Sequence, residues 1–426
     1  MYKNVSFLIS LVFVLVLIST PLARAAVRTW DHDALNNRWD IAANWSNNKI
    51  PGTADTARIV KTGADECRIQ AFAAEINKLQ LGYHDGTTAF AGDLRILTDG
   101  SLKIATESPI GLKSQGRLYI EGGTLTTDDV LAVGRNADGL GYLYMSGDAL
   151  TTGNTLEVGD GLGAVGHLVM SDGTINVGLP DGNRNMRIGN DGGTGFATVS
   201  GGVLNCSGNL VVGRGRNVTG DVETPSEGLL TVTGGVINVG GATAPSDLSI
   251  GKQYGRGVLE MSDGIINVAG NVYVGETTIQ IIEDPYEEIP RPGIGRLTMT
   301  GGFFSISDAN SLLIGTNGST GLVELVDGLI MAGGLEIGPP GSGGKMDIRA
   351  GTLVLNGNQM DYVLGLITAG LLTAYGTDGS GPVIQWQYDY NVRNPSRTTV
   401  SAVPEPATLI LLSLGGLVLR YRKRRA

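Results

Sequence analysis

Side chains able to do chemistry are sparse in this chain, and they do not converge on a catalytic pattern. The three histidines, His32, His84 and His167, sit in unrelated sequence contexts. Hydrolysis or elimination on a polysaccharide needs clustered carboxylates, often with Ca²⁺ or a basic residue, meeting in one groove. Here the acidic residues are scattered among turn positions. The densest acidic stretch, Glu283, Asp284, Glu287 and Glu288 beside Pro285 and Pro290, reads as an exposed loop that could attract Ca²⁺ or remain a solvated charge cluster. Cys67 and Cys206 are too few for a zinc cage or a disulfide framework. Gly159-Asp160-Gly161-Leu162-Gly163 and Gly213-Arg214-Gly215 contain a G-x-G spacing. Neither leads into a helical pattern, so nucleotide binding is rejected. No G-x-S-x-G elbow, EF-hand loop or calcium nonapeptide stands out. The expectation is no catalytic residue and no cofactor beyond Ca²⁺ at that acidic loop.

The elements that would carry these residues are written as one motif repeated about ten times. Turn-like pairs recur at Asp99-Gly100, Gly122-Gly123, Gly147-Asp148, Asp172-Gly173, Gly201-Gly202, Gly234-Gly235, Asp263-Gly264, Gly301-Gly302, Asp327-Gly328 and Ala350-Gly351. Two residues before each pair is an apolar side chain, from Leu97, Ile120 and Met145 through to Ile348. Two residues after it is another, from Leu102, Leu125 and Leu150 through to Leu353. Further along each unit an apolar-x-apolar-Gly signature returns, as in Leu131/Val133/Gly134 and Leu156/Val158/Gly159. Alternation at period two, broken by glycine, means short strands with one buried face. A coil of three such strands cannot bury its own inner face, whereas stacked coils share one core. The prediction is an all-β, single-stranded parallel β-helix of about ten coils with three short strands per coil. Where units lengthen, at 179–185, 214–227, 241–247 and 276–293, the added residues are polar, charged or Gly/Pro-bearing and belong in corner loops. Asn176, Asn205, Asn238 and Asn267 share one outward register, where their amides can form a ladder. Cys206 falls in the inward register of Val177, Val239 and Val268. Cys67 lies outside the regular coils.

Composition agrees. Glycine supplies 66 of 426 residues, about twice the average usage, without collagen's strict period. The formal charge is −10, with 31 basic against 41 acidic residues, a poor balance for gripping phosphate backbones, so nucleic acid is excluded as a partner.

Both ends read as addresses. Residues 1–25 have Lys3 in a short polar head, an apolar run from Val5 to Ile18, and Ala23-Arg24-Ala25 as a small-residue site; this is the form of a secretory signal peptide. At the other end, within 403–426, Pro404-Glu405-Pro406 leads into the apolar stretch Ala407 to Leu419. Behind it come Arg420, Arg422, Lys423, Arg424 and Arg425. A short apolar segment followed by cations can enter a bilayer and stop with its charges on the cytoplasmic side. This tripartite tail resembles the PEP-CTERM sorting signal of Gram-negative bacteria. The resemblance implies a C-terminal hydrophobic helix that anchors transiently in the inner membrane, recognition and removal of the tail by an exosortase, and delivery to the cell surface or an exopolysaccharide matrix. Losing residues 1–25 takes away two cations, and losing 404–426 takes away five basic residues and Glu405, so the formal charge of −10 becomes −16.

Between these addresses the body divides into an N-terminal cap at 26–75, repeats at 76–358 and closing strands at 359–402. The cap carries Trp30, Trp39 and Trp45, placed to pack or, alternatively, to stack on sugars. Its Trp45-Ser46, then Pro51-Gly52 and Asp55-Thr56-Ala57, loosely resemble the opening segment of secreted bacterial proteins with autotransporter-like strand repeats. After Leu355 the rhythm fades; Met360 to Ala374 reads as a short helix or irregular turn, and Val383 to Val400 as final strands. The leading expectation is an exported, surface-sorted, non-catalytic structural protein of the extracellular matrix. Its alternatives are a polysaccharide lyase or glycosidase working along the stack and a glycan-binding adhesin, which would need aligned exposed aromatics.

Overall fold

The computed structural model describes residues 25–178, 184–215, 225–241, 244–283, 286–376, 383–389 and 395–403. The chain is a parallel β-solenoid with very little helix. One wall is a sheet of 12 parallel strands, so the stack has twelve rungs. The count exceeds the ten turn pairs because the first two strands, Val27–Trp30 and Thr56–Ile59, come from the segment expected as a cap and lack the glycine pair. Cys67 also lies within a coil, on the strand Cys67–Ile69 paired with Leu94 to Ile96.

Each full coil has three straight segments. Leu131–Arg135 forms the first wall; Leu140–Thr152 forms the second and third, bending midway where the pairing register shifts between Met145 and Ala149. Period-two alternation sets which side chains face inward. Of the twenty flanking apolar positions read from the repeat, only Leu97 lies outside the core. That unit carries one extra residue before its turn, so Ile96, not Leu97, pairs with Ile120. The inward columns form one continuous apolar cluster from Trp30 to Ala402. Each fully buried Leu, Ile or Val contributes about 1.5–3 kcal/mol relative to exposure.

Glycine fixes the corner between the first and second walls. Gly134 has φ +71, and a Cβ there would stand 2.0 Å from the carbonyl oxygen of Val165 in the next coil. Its counterpart across the corner, Gly166, has no positive φ, yet a Cβ would meet the Gly159 nitrogen and the Val133 oxygen at 2.2 Å each. The first requires glycine by conformation and proximity, the second by proximity alone.

The ends are closed differently. Trp30, Trp39 and Trp45 are fully buried and pack edge to face at 5.2 and 4.6 Å. Trp30 Nε1 donates to the Asp65 carbonyl and Trp45 Nε1 to that of Trp39. Their rings are core, which removes them as a sugar platform. At the far end the helix Met360–Thr368 precedes a hairpin, Val383–Asp389 and Arg397–Val403, whose last strand pairs antiparallel with Thr352–Asn356. Reversing direction blunts the parallel edge that would otherwise template further strands.

Candidate functional site

The residues available for function are the outward ones, and the stacking brings them together in ways the linear sequence separates. On the 12-stranded wall, Glu157 and Arg187 are partners in register 30 residues apart, with Arg187 Nη1 donating to Glu157 Oε1 at 2.6 Å. Asp160 accepts from Asn190 Nδ2 at 2.8 Å, and Arg214 donates to Asn190 Oδ1 at 3.2 Å. Arg135 lies between Glu107 and Asp160, ion-paired with both. The expectation of acidic residues scattered among corners is therefore corrected: one wall gathers carboxylates and guanidiniums. Burial, then the neighbouring Asp160 carboxylate, pushes the Glu157 carboxyl up to about 7, with Arg187 opposing. Similar cross-rung pairing occurs at Lys252–Glu276 on the same wall and at Arg296–Glu324 on the second wall. Among the described residues no three His, Cys, Asp or Glu side chains converge as a metal site.

The second wall carries an aromatic column. Tyr142, His167 and Phe196 stack nearly parallel across consecutive rungs at 4.8 and 4.9 Å, and Tyr119 stacks on Tyr144 at 4.8 Å. Arg95 covers the free face of Tyr119 at 4.0 Å. The repeats thus hold more aligned aromatics than composition suggested. The signal was present: Tyr142, His167 and Phe196 each stand three residues before the inward Met145, Met170 and Val199. Because the rings stack on one another, they offer edges rather than faces outward, which does not suit sugar stacking. Burial lowers the His167 pKa. The other two histidines lie elsewhere, His32 against Asp65 and His84 in a small hairpin with Ala89–Phe90.

On the third wall the asparagine ladder forms as expected. Asn205 Nδ2 donates to Asn176 Oδ1, Asn238 to Asn205 and Asn267 to Asn238, each at 2.9 Å. Cys206 sits inward, paired in register with Val177 and Val239. Both cysteines are free and buried; burial drives the Cys67 thiol pKa well up and that of Cys206 up to about 12.

The expected acidic loop is instead a two-stranded antiparallel hairpin, Thr278–Glu283 with Tyr286–Arg291, pairing Ile282 with Glu287 and Ile281 with Glu288. Alternating Ile residues in Thr-Ile-Gln-Ile-Ile carry the strand signal that the acidic residues masked. Glu288 is exposed, and Asp284 lies outside the described residues.

The body ends in the closing strand, where Ala402 is already part of the paired edge. Pro404, Glu405, Pro406, the apolar stretch and Arg420, Arg422, Lys423, Arg424 and Arg425 lie outside the described residues, as do residues 1–24. Residues 402–425 match the PEP-CTERM protein-sorting motif. No curated protein and no solved structure matches the chain. The PEP-CTERM motif is a sorting signal recognised by exosortase, and it implies an exported protein destined for the cell surface, here on a β-solenoid scaffold. Among the described residues no helix is long and apolar enough to cross a membrane; the segment expected to anchor the chain is in the tail.

Proposed function

We propose that the chain is a non-catalytic structural rod of the cell surface, held briefly in the inner membrane by residues 404–426, released by exosortase and associated with exopolysaccharide. The observation that carries this reading is the combination of an address at 402–425 with a stack that uses its polar groups on itself. Glu157 is taken by Arg187, Glu276 by Lys252 and Glu324 by Arg296. A charged side chain held in a cross-rung ion pair stiffens the stack and has its charge met there rather than by a substrate. Deleting Pro404 to Ala426 should leave the body folded, because the sheets close at Val403, and abolish surface delivery. Unchanged delivery of the truncated chain would reject the sorting mechanism.

A second reading, a polysaccharide-processing enzyme, is favoured by one observation: Glu157, beside Asp160, has a carboxyl pushed up to about 7, the range of a general acid. Its burial and its pairing with Arg187 favour the scaffold. Cleavage of acidic polysaccharide that disappears in Glu157→Gln would reverse that preference.

A further inference from the structure

The asparagine ladder borders a cavity of about 500 Å³, and the two together are more than a structural device. The cavity is lined along the rod by Thr151, Asn176, Asn205 and Asn238, one from each of four consecutive rungs, with Gly241 and Ala244 on one side. Four rungs span roughly 14 Å at the parallel-strand spacing. Dividing the volume by that length leaves a cross-section of about 35 Å². That is a narrow slot running along the rod, suited to a single linear chain.

The chemistry along the groove is periodic and, among the described residues, uncharged. A primary amide has two N–H donors and an oxygen with two lone pairs. The ladder engages one donor and one lone pair of Asn205 and of Asn238, leaving one of each per rung. No acidic or basic side chain lines the groove among the described residues. An occupant that matches these groups is linear and uncharged, offers both donors and acceptors, and repeats at close to one rung. An extended polypeptide advances only about 3.3 Å per residue and loses register with the rungs. An extended β-1,4-linked pyranose chain advances by nearly one rung per sugar, so its hydroxyl groups can meet successive amides.

We propose that this groove is a binding site for a neutral, linear β-linked glycan lying parallel to the rod axis, one sugar per rung from Thr151 to Asn238. The proposal deepens the reading of a glycan-associated scaffold and rests on it only for where the protein meets such a polymer. Because the groove has no aromatic platform, affinity accumulates over several sugars.

The test uses fluorescently labelled cello-oligosaccharides of two to six sugars, with anisotropy read on the purified protein. Affinity should rise with length up to four sugars and level off. A Cβ at Gly241 would have no atom within 4 Å, so Gly241→Trp should fill the groove without disturbing the backbone and weaken tetramer binding at least tenfold at an unchanged melting temperature. Asn205→Leu, which removes the central amide, should weaken it likewise. Absence of saturable tetramer binding, binding that survives Gly241→Trp, or displacement by extended peptides but not by unlabelled glycan would overturn the proposal. Surface delivery is scored separately by the tail deletion, so a groove without glycan leaves the sorted rod standing.

Discussion

Substituting Gly166 by alanine isolates the force that sets the coil corners. Gly166 has an ordinary φ, so the change introduces no left-handed strain, and the whole cost comes from two backbone atoms 2.2 Å from the new Cβ. Relief requires the corner to open by about 1 Å, which lengthens adjacent rung hydrogen bonds beyond their normal range of about 2.7–3.2 Å. Losing two to four such bonds at a net 0.5–1.5 kcal/mol each gives a destabilisation of about 1–6 kcal/mol. Two other glycines separate the contributions. Gly63 has φ +63 with nothing within 4 Å, and Gly241 has neither constraint. Gly63→Ala should cost about 1–2 kcal/mol through backbone conformation alone, and Gly241→Ala close to nothing. The assay is the guanidinium midpoint of all three variants, compared as midpoints because stacked repeats need not unfold in one step. If Gly166→Ala unfolds together with Gly241→Ala, the close-approach argument is wrong.

Other consequences are equally direct. Asn238 makes two ladder bonds and Asn267 one; Asn238→Ala should cost about 2 kcal/mol and Asn267→Ala about half that, read by chemical denaturation, and equal costs would contradict the ladder. Glu157, at about 7 in the fold against an ordinary 4.5, binds its proton more tightly when folded. Its contribution is therefore complete below pH 4.5 and is lost as pH rises through 7, at up to about 1.4 kcal/mol per pH unit. Melting temperatures across that window should fall in the parent chain and flatten in Glu157→Gln, and a parallel fall in both would remove the assignment.

How much of this was legible depends on whether a feature is local or belongs to register. The inward columns were legible because apolar residues flank every turn pair, and the asparagine ladder because four copies keep the same offset. Leu97 misled because one inserted residue moves the inward position to Ile96. The Glu157–Arg187 pair is 30 residues apart, yet each residue is the variable position in its apolar-x-apolar-Gly unit. Superposing the units places them on neighbouring rungs, a step that needs the coil geometry first. The glycine column through Gly141, Gly166 and Gly195 was hidden by the abundance of glycine itself. The hairpin at Thr278–Arg291 is hard to read from sequence because its charges and prolines give a loop signal that outweighs its isoleucines. The tail was legible as chemistry alone, an address whose meaning lies in the enzyme that reads it.

Residues far apart in sequence stand on one axis, one rung apart. Thr126 and Ser305 occupy the same outward column six rungs apart, and Lys103 lies one rung further out. Spin labels on Thr126→Cys and Ser305→Cys, with Cys67 and Cys206 shielded in the core, should give a dipolar distance of about 29 Å, and Lys103→Cys with Ser305→Cys about 34 Å. Distances that grow by one strand spacing per rung establish the stack; distances that do not follow rung number contradict it.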